Sequence, residues 1–483
     1  MRSDAIIDPS ASSLRRESTL LAVGCAILLA LKIGVLAVFG PTSLPDTSGY
    51  VAYADAILNG TFKHVDLAAD PLPVTLVRVI GYPAIIAAAK FVAGRDWAWV
   101  VVLLQFAVSL CATAMVYRLA HAIRLGMWLS LGVAAAYATS MQFVVDQAIL
   151  SDSLCGSTAT IATCLMAIVA LRRMSTSLIV FLGTGVLLAA AFLVRDVIAY
   201  VAVGLLPLVV AAAMVERTKL RRWAAGVLVF APLIATHLAY TEWNRERIGA
   251  PVITTISQAA LLAAMIEAAR YDPSIFSGST PIDDACRRVI TMMQAGEVAY
   301  AVEPSIILHR DYGWDAVRMS HEATMAYLRA WRDHPVAMIR HVLSHFSETQ
   351  LHQAVRPTET LRVVLLWNTG SDHEFARIRE VRAGNWWMIP AVILHKVFET
   401  ISVTVFLAFL VLSPVRLFRD GPTTEGIVSA GILLLYVTVG GLYATVHLEP
   451  RYLTPVVAGS IVVGTANIAW LVEIYRRRAE KPH

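Results

Sequence analysis

The chain has 483 residues, of which 57% are hydrophobic and only 16% are charged, and its mean hydropathy is +0.63. A soluble fold cannot bury that much apolar surface, and the net charge of +5 does not indicate a nucleic-acid partner, because the basic residues lie at the ends of apolar runs. We therefore predict an all-α integral membrane protein, a multi-span helical bundle of about ten transmembrane helices.

The predicted transmembrane helices follow from apolar runs of bilayer-spanning length. In chain order they cover residues 19–40, 97–120, 125–145, 153–171, 176–194, 197–215, 223–241, 387–412, 425–443 and 453–473. Arginine and lysine cluster in alternate connections, such as Arg172-Arg173 and the run Arg476 to Arg478. The positive-inside rule then places both termini in the cytoplasm. Alanine-rich spans and outer loops without disulfide partners favour a bacterial inner membrane.

The first outer loop, residues 41–96, is predicted to contain two helices. Helical spacing of apolar residues follows Pro45 and stops at Asn59-Gly60, which indicates a helix lying on the membrane surface. A second short helix is predicted to begin at Tyr82-Pro83, since proline suits a first turn, and to end at Gly94.

Asp46 lies just outside the first span and directly ahead of the predicted surface helix. A carboxylate there can accept a proton at the edge of the bilayer. The alternative is a helix N-cap, which is the commoner role of a lone aspartate before a helix.

Three parts of the chain are distinguished by composition. Residues 1–241 form a transmembrane module that includes the first outer loop, residues 242–386 form an extracytoplasmic, mainly helical domain, and residues 387–483 contain the last transmembrane helices. Within the middle part, helices are predicted at about 257–270, 315–333 and 335–353.

Three histidines, His341, His345 and His352, fall on one stripe of the last predicted helix of the middle part. This spacing permits a zinc site. The alternative is a polar stripe facing solvent or headgroups, and no acidic residue lies between the first two as a metalloprotease helix would require. No metal ligand is therefore assigned.

Short motifs then suggest a family. They are Asp46 in the first outer loop, Arg78-Val79-Ile80-Gly81-Tyr82-Pro83, Leu150-Ser151-Asp152-Ser153, and Glu449-Pro450-Arg451-Tyr452-Leu453-Thr454-Pro455. Their order and topology resemble the GT-C superfamily of membrane glycosyltransferases, in the branch of protein O-mannosyltransferases and the aminoarabinose transferase of lipid A. The resemblance is best over residues 46–210, and residues 242–330 match no family.

The resemblance implies an enzyme that moves one sugar from a polyprenyl-phosphate donor to a lipid, glycan or protein acceptor, with inversion, at the extracytoplasmic face. Asp46 occupies the position of the general base, and Asp152 is a second acid or a helix cap. A phosphate leaving group needs preorganised guanidinium groups, and Arg78, Arg195 and Arg451 are the candidates.

Arg195 has an alternative role, because Arg195-Asp196 fills a tight outer turn in which the two side chains could be solvated or pair with neighbouring helix ends. The residues predicted to line the cavity are Tyr50, Tyr82, His447, Glu449 and Tyr452. Some members of the superfamily bind a divalent cation through acidic residues of these loops. Asp46 and Asp152 offer two carboxylates without a firm third ligand, so no obligatory metal is predicted.

The main alternative function is a polytopic transporter or flippase for a lipid-linked or small polar substrate. Span interiors nearly free of charged residues, and the lack of paired segments broken by glycine or proline, argue against it. A non-catalytic accessory protein on the same fold stays a third alternative.

Overall fold

The computed structural model describes residues 11–67, 69–172, 175–296, 302–347, 389–421, 423–446 and 448–480. Within these ranges the chain is helical, with turns and loops between the helices and no β-strand beyond one isolated bridge. Since the long apolar helices lie in a chain of this hydropathy, the protein is a helical membrane protein.

The helices are numbered in chain order. The first group comprises α1 Ala11–Phe39, α2 Pro45–Leu58, α3 Val74–Val77, α4 Gly81–Ala93, α5 Trp97–Ala122, α6 Met127–Ala138, α7 Met141–Gln147, α8 Ser151–Arg172, α9 Leu178–Val194, α10 Ile198–Met214 and α11 Lys219–Ile248. The second comprises α12 Ser257–Ala268, α13 Pro281–Gln294, α14 Glu303–Tyr312, α15 Ala316–Asp333, α16 Pro335–Ser347, α17 Ile389–Asp420, α18 Thr424–Val446 and α19 Thr454–Ala479.

Each predicted span coincides with a helix, but the number of crossings is not settled by length alone. Seven helical segments of the described residues are long and apolar enough to cross a membrane, and a bent pair, α6 with α7, brings the number to eight. Helices α9 and α10 are apolar but have 17 residues each. The total of ten therefore stays a prediction.

The predicted span over residues 125–145 is not a single straight helix. The chain breaks at Thr139 and Ser140, and α6 and α7 meet at an angle of 46°. The Ser140 hydroxyl accepts a hydrogen bond from the backbone N–H of Gln142, so a side chain starts a new helix inside an apolar run.

Helix α8 has the largest buried share of the seven long apolar segments in the described residues. It packs against α5, α9, α10 and α19, and most of its side chains are buried. Small residues allow this close packing: a Cβ on Gly156 would lie 2.7 Å from the Thr454 hydroxyl at the start of α19. The first turn of α8, which contains Asp152, is therefore surrounded by protein.

Helices α12 to α16 form a separate helical layer with its own apolar core. Leu262, Val289, Leu308 and Met319 are buried in it. Three of its helices coincide with those predicted, within the described residues, whereas α13 and α14 were not predicted.

Helix α11 continues to Ile248. It therefore passes through the boundary at residue 241 that was predicted between the transmembrane module and the middle part of the chain.

One charged pair lies inside the bundle, contrary to the expectation that the span interiors are nearly free of charge. Lys32 of α1 forms a fully buried ion pair with Asp146 at the end of α7. The Lys32 ammonium also donates to Ser109, and the Asp146 carboxylate accepts from Gln142 and Ser153. Burial is tolerated because both charges are paired and hydrogen-bonded.

Candidate functional site

The loop after α1 lies directly against the segment between α7 and α8. The backbone N–H of Thr42 donates to the carbonyl of Gln147, and that of Ile149 donates to the carbonyl of Thr42, at 2.9 and 3.0 Å. The Thr47 hydroxyl adds a bond of 3.0 Å to the carbonyl of Ile149. These bonds bring the starts of α2 and α8 to the same end of the bundle, although about a hundred residues separate them in the chain.

Asp46 lies in the first turn of α2 but does not cap it. The cap position is Leu44, whose backbone N–H donates to the Thr47 hydroxyl. The Asp46 carboxylate instead pairs with two guanidinium groups, that of Arg78 at 2.7 Å and that of Arg451 at 2.8 Å. One aspartate therefore joins the first outer loop to the turn before α19.

The two arginines control the ionisation of Asp46. Burial raises the pKa of its carboxyl, but the positive charges of Arg78 and Arg451 and the hydrogen bond from Arg78 outweigh burial and hold the pKa below its ordinary value. A third of the Asp46 side chain remains exposed. The group is thus an accessible carboxylate that stays ionised, and the arginines weaken it as a base.

Arg78 is positioned by Tyr50 and by the absence of a side chain at Gly49. Its guanidinium lies over the Tyr50 ring, 4.2 Å from the centroid, and donates to the Tyr50 hydroxyl at 3.1 Å. A Cβ at Gly49 would lie 3.3 Å from Nε of Arg78, a tight contact. Glycine inside a helix costs about 1 kcal/mol, and here it allows the guanidinium to approach α2.

Arg195 forms an ion pair with Asp152, whose side chain is only 2% exposed. The guanidinium also lies 4.9 Å from the Tyr452 ring centroid. Arg195 is therefore not a solvated turn residue, and Asp152 holds an arginine from the first turn of α8. Within the described residues, the second carboxylate oxygen of Asp152 has no hydrogen-bond partner.

Arg451 links the Asp46 pair to the turn that precedes α19. Besides Asp46, its guanidinium binds Glu449 and lies 5.1 Å from the Tyr452 ring centroid. Tyr452 in turn stacks on Tyr443 of α18, with 4.8 Å between the ring centroids. Tyr443 thereby supports the Tyr452 ring beside the guanidinium groups of Arg195 and Arg451.

Three guanidinium groups and three carboxylates meet at this end of the bundle. We call them the charged cluster; its members are Asp46, Arg78, Asp152, Arg195, Glu449 and Arg451. The contacts alternate in sign, so the charges balance within the cluster. Any anion that enters must compete with the carboxylates for the arginines. Each of the carboxylates that could ligate a cation already pairs with an arginine, so this arrangement fits charge pairing better than a metal-ligand set.

Tyr82 and His447 are also among the residues predicted to line the cavity. Tyr82 lies behind Tyr50, with ring centroids 4.9 Å apart, and its buried hydroxyl donates to Gln105. Tyr82 thus supports Tyr50 rather than facing the charges. His447 lies outside the described residues.

Residues near the cluster that the sequence did not single out include Ser151 and Tyr443. The Ser151 side chain lies 2.6 Å from the Tyr50 hydroxyl, in the motif that contains Asp152. A serine beside a motif aspartate could have been noted from the sequence, whereas Tyr443 lies in an apolar helix and gives no local signal.

No protein-family model matches the chain, and no curated protein sequence matches it. A solved structure with a similar arrangement is the oligosaccharyltransferase of Archaeoglobus fulgidus in its apo form, at 12% identity and a TM-score of 0.48 over 96% of this chain. The chain spans about half of that structure, 52% of its length. Similarity of this size leaves the question of activity to the residues of the site.

Proposed function

We propose that the protein is a GT-C type glycosyltransferase that moves a sugar from a polyprenyl-phosphate donor to a lipid, glycan or protein acceptor on the extracytoplasmic side. The observation that carries the proposal is the charged cluster, in which an accessible carboxylate, Asp46, lies within hydrogen-bond distance of both Arg78 and Arg451. General-base and phosphate-binding groups are thereby adjacent, as a direct displacement requires.

In the proposed reaction the acceptor hydroxyl oxygen attacks the anomeric carbon of the donor. The bond between that carbon and the phosphate oxygen breaks, and its electron pair leaves with the phosphate. The hydroxyl proton passes to Asp46. One displacement of this kind inverts the anomeric carbon and forms no sugar–enzyme bond.

The ion pairs of the cluster suggest how the base is released. A donor phosphate carries negative charge and accepts bidentate hydrogen bonds from guanidinium groups. When Arg78 and Arg451 turn to the phosphate, Asp46 loses its partners and becomes a stronger base. Asp152 is buried and holds Arg195 through its ion pair, so its proposed role is to position Arg195 beside the donor phosphate.

The test is transfer of radiolabelled sugar from polyprenyl-phosphate donors to a membrane extract by the purified protein. Asp46→Asn should lower transfer at least about 100-fold, because general-base catalysis contributes that much. Asp55→Asn is the matched control, since Asp55 lies on the same helix and pairs with Lys90 outside the cluster. Undiminished transfer by Asp46→Asn would remove Asp46 as the base.

A transporter remains the second candidate because of the buried Lys32–Asp146 pair and the break between α6 and α7. Charged residues within spans and broken helices mark ion and substrate paths in transporters. Reconstituted vesicles distinguish the two functions. Proton- or ion-coupled uptake without sugar transfer from any donor would favour transport.

A further inference from the structure

Two histidines and a glutamate meet in the helical layer, outside the charged cluster. His341 and His345 lie one turn apart on α16, so both imidazoles point to the same side of that helix. Glu267, near the end of α12, faces them. The candidate ligand atoms of the three side chains all lie within 4.8 Å of one another. Two helices separated by about seventy residues thus bring three donors to one point.

These histidines do not form the polar, solvent-facing stripe that the sequence favoured. His341 is fully buried and His345 is 4% exposed, with ring centroids 4.9 Å apart in an edge-on contact. Both rings are thus buried next to Glu267, and a cation at this point would bind one nitrogen of each ring. His352 lies outside the described residues.

The donor types and one donor–donor distance fit zinc. Nδ1 of His341 lies 3.4 Å from a carboxylate oxygen of Glu267. Tetrahedral zinc with bonds of about 2.0 to 2.1 Å requires its donors to be about 3.3 Å apart. Two imidazole nitrogens and one carboxylate oxygen are a known zinc ligand set, which leaves a fourth position for water.

We propose that Glu267, His341 and His345 form a zinc site that joins α12 to α16. Helix α12 follows a segment bound to the first outer loop, since the backbone N–H of Thr255 donates to the carbonyl of Leu76 at 2.9 Å. Helices α12 and α16 both contact α18. The zinc ion would hold the helical layer against the loops that carry Arg78 and Glu449. The site stands independently of the glycosyltransferase proposal.

Metal analysis of the full chain tests the site. The protein is purified in detergent with a tag free of histidine, incubated with Zn²⁺, dialysed, and measured by plasma mass spectrometry. About one zinc per chain is expected. The double variant His341→Ala/His345→Ala should bind at least tenfold less zinc than the wild type. His321→Ala, an exposed histidine on α15, is the matched control and should bind as the wild type does.

Further variants separate loss of a ligand from loss of folding. His345→Cys should keep zinc, because thiolate is a zinc ligand, whereas His345→Ala should lose it. Chelation should lower the Tm of the wild type but not that of Glu267→Gln. If the wild-type sample contains no more zinc than the dialysis buffer, the proposal is overturned, and the three side chains form a metal-free histidine–glutamate pair. Equal zinc in the wild type and the double alanine variant would also overturn it.

Discussion

At the scale of single residues, the pairing of Asp46 with two arginines determines when it can accept a proton. In the free protein the arginines hold the pKa of Asp46 below its ordinary value. The carboxylate is then ionised over a wide pH range but is a weak base. Donor phosphate would take the arginines and add negative charge nearby, and both changes raise the pKa.

The first prediction concerns the pH profiles of sugar transfer. The profile of kcat/KM reports the free protein, so it should stay level as the pH falls from 7 to about 4.5, because the lowered pKa keeps Asp46 ionised. The profile of kcat reports the donor complex, and its acid limb should lie at higher pH. Steady-state rates across this range provide the measurement.

The control is to return each acid-treated sample to pH 7, where full activity shows that acid did not unfold the protein. An acid limb of kcat/KM above about pH 5.5 would mean that a group other than the arginine-held Asp46 limits the reaction.

At the scale of elements, buried polar contacts join helices that the chain order separates. Helix α1 has most of its surface outside the bundle, yet it is fixed to α7 by the ion pair between Lys32 and Asp146. The Lys32 ammonium also lies near the rings of Phe106 and Phe143, at 5.4 and 5.6 Å from their centroids. The pair therefore fixes the position of the first span beside the broken helix.

The second prediction concerns this pair. Asp146→Asn leaves a buried ammonium without its counter-charge, which should lower the free energy of unfolding by on the order of 3 kcal/mol. The double variant Lys32→Met/Asp146→Asn replaces both partners and should recover part of the lost free energy of unfolding. Thermal unfolding in detergent measures each variant.

Asp55→Asn removes the partly exposed partner of Lys90 and serves as the control, with an expected cost below about 1 kcal/mol. A Tm for Asp146→Asn equal to that of the wild type would show that the ion pair does not hold α1.

The third prediction concerns the contact between α4 and α9. A Cβ on Gly81 would lie 2.5 Å from the carbonyl oxygen of Leu193, so Gly81→Ala must push the start of α4 from the end of α9. Arg78 and Arg195 lie beside that contact. A displacement of about 1 Å can cost up to 100-fold in rate, and overpacking should cost about 1 to 3 kcal/mol in stability.

Sugar transfer and Tm are measured together for this variant. Gly226→Ala is the control, because a Cβ there meets no atom within 4 Å and alanine in a helix interior is favoured by up to about 1 kcal/mol. Wild-type activity and Tm in Gly81→Ala would show that the two helix ends can separate without moving the arginines.

At the scale of the whole molecule, the charged cluster and the helical layer lie at the same end of the bundle. Tyr327 of α15 donates to the carbonyl of Thr445 near the end of α18, at 2.6 Å. The opposite end carries the arginine-rich connections, including Arg221 paired with Glu216. The positive-inside rule predicts that this opposite end faces the cytoplasm.

The fourth prediction is the orientation of the protein in the membrane. Single cysteines are introduced in a cysteine-free background at two exposed positions, Asp70 in the first outer loop and Arg217 between α10 and α11. A membrane-impermeant maleimide should label Asp70→Cys in intact cells and Arg217→Cys only after permeabilisation. The reverse pattern would place the charged cluster in the cytoplasm and remove the extracytoplasmic reaction.

The sequence by itself determined the positions and order of the long apolar helices, because hydropathy and helix signals are sums over neighbouring residues. The predicted start and stop of α2 at Pro45 and Asn59-Gly60 match the structure, and so do α12 and α15 to within a few residues. It also nominated the acidic and basic residues that meet in the charged cluster, through motifs that each lie within a few residues.

Only the tertiary structure decided which charges pair. Asp46 meets Arg451, Lys32 meets Asp146, and Glu267 meets His341 through contacts between distant segments. Tertiary packing also decided that Asp46 is not a helix cap. A pattern of local hydropathy cannot report such pairs, because their free energy depends on burial and on the geometry of helix packing.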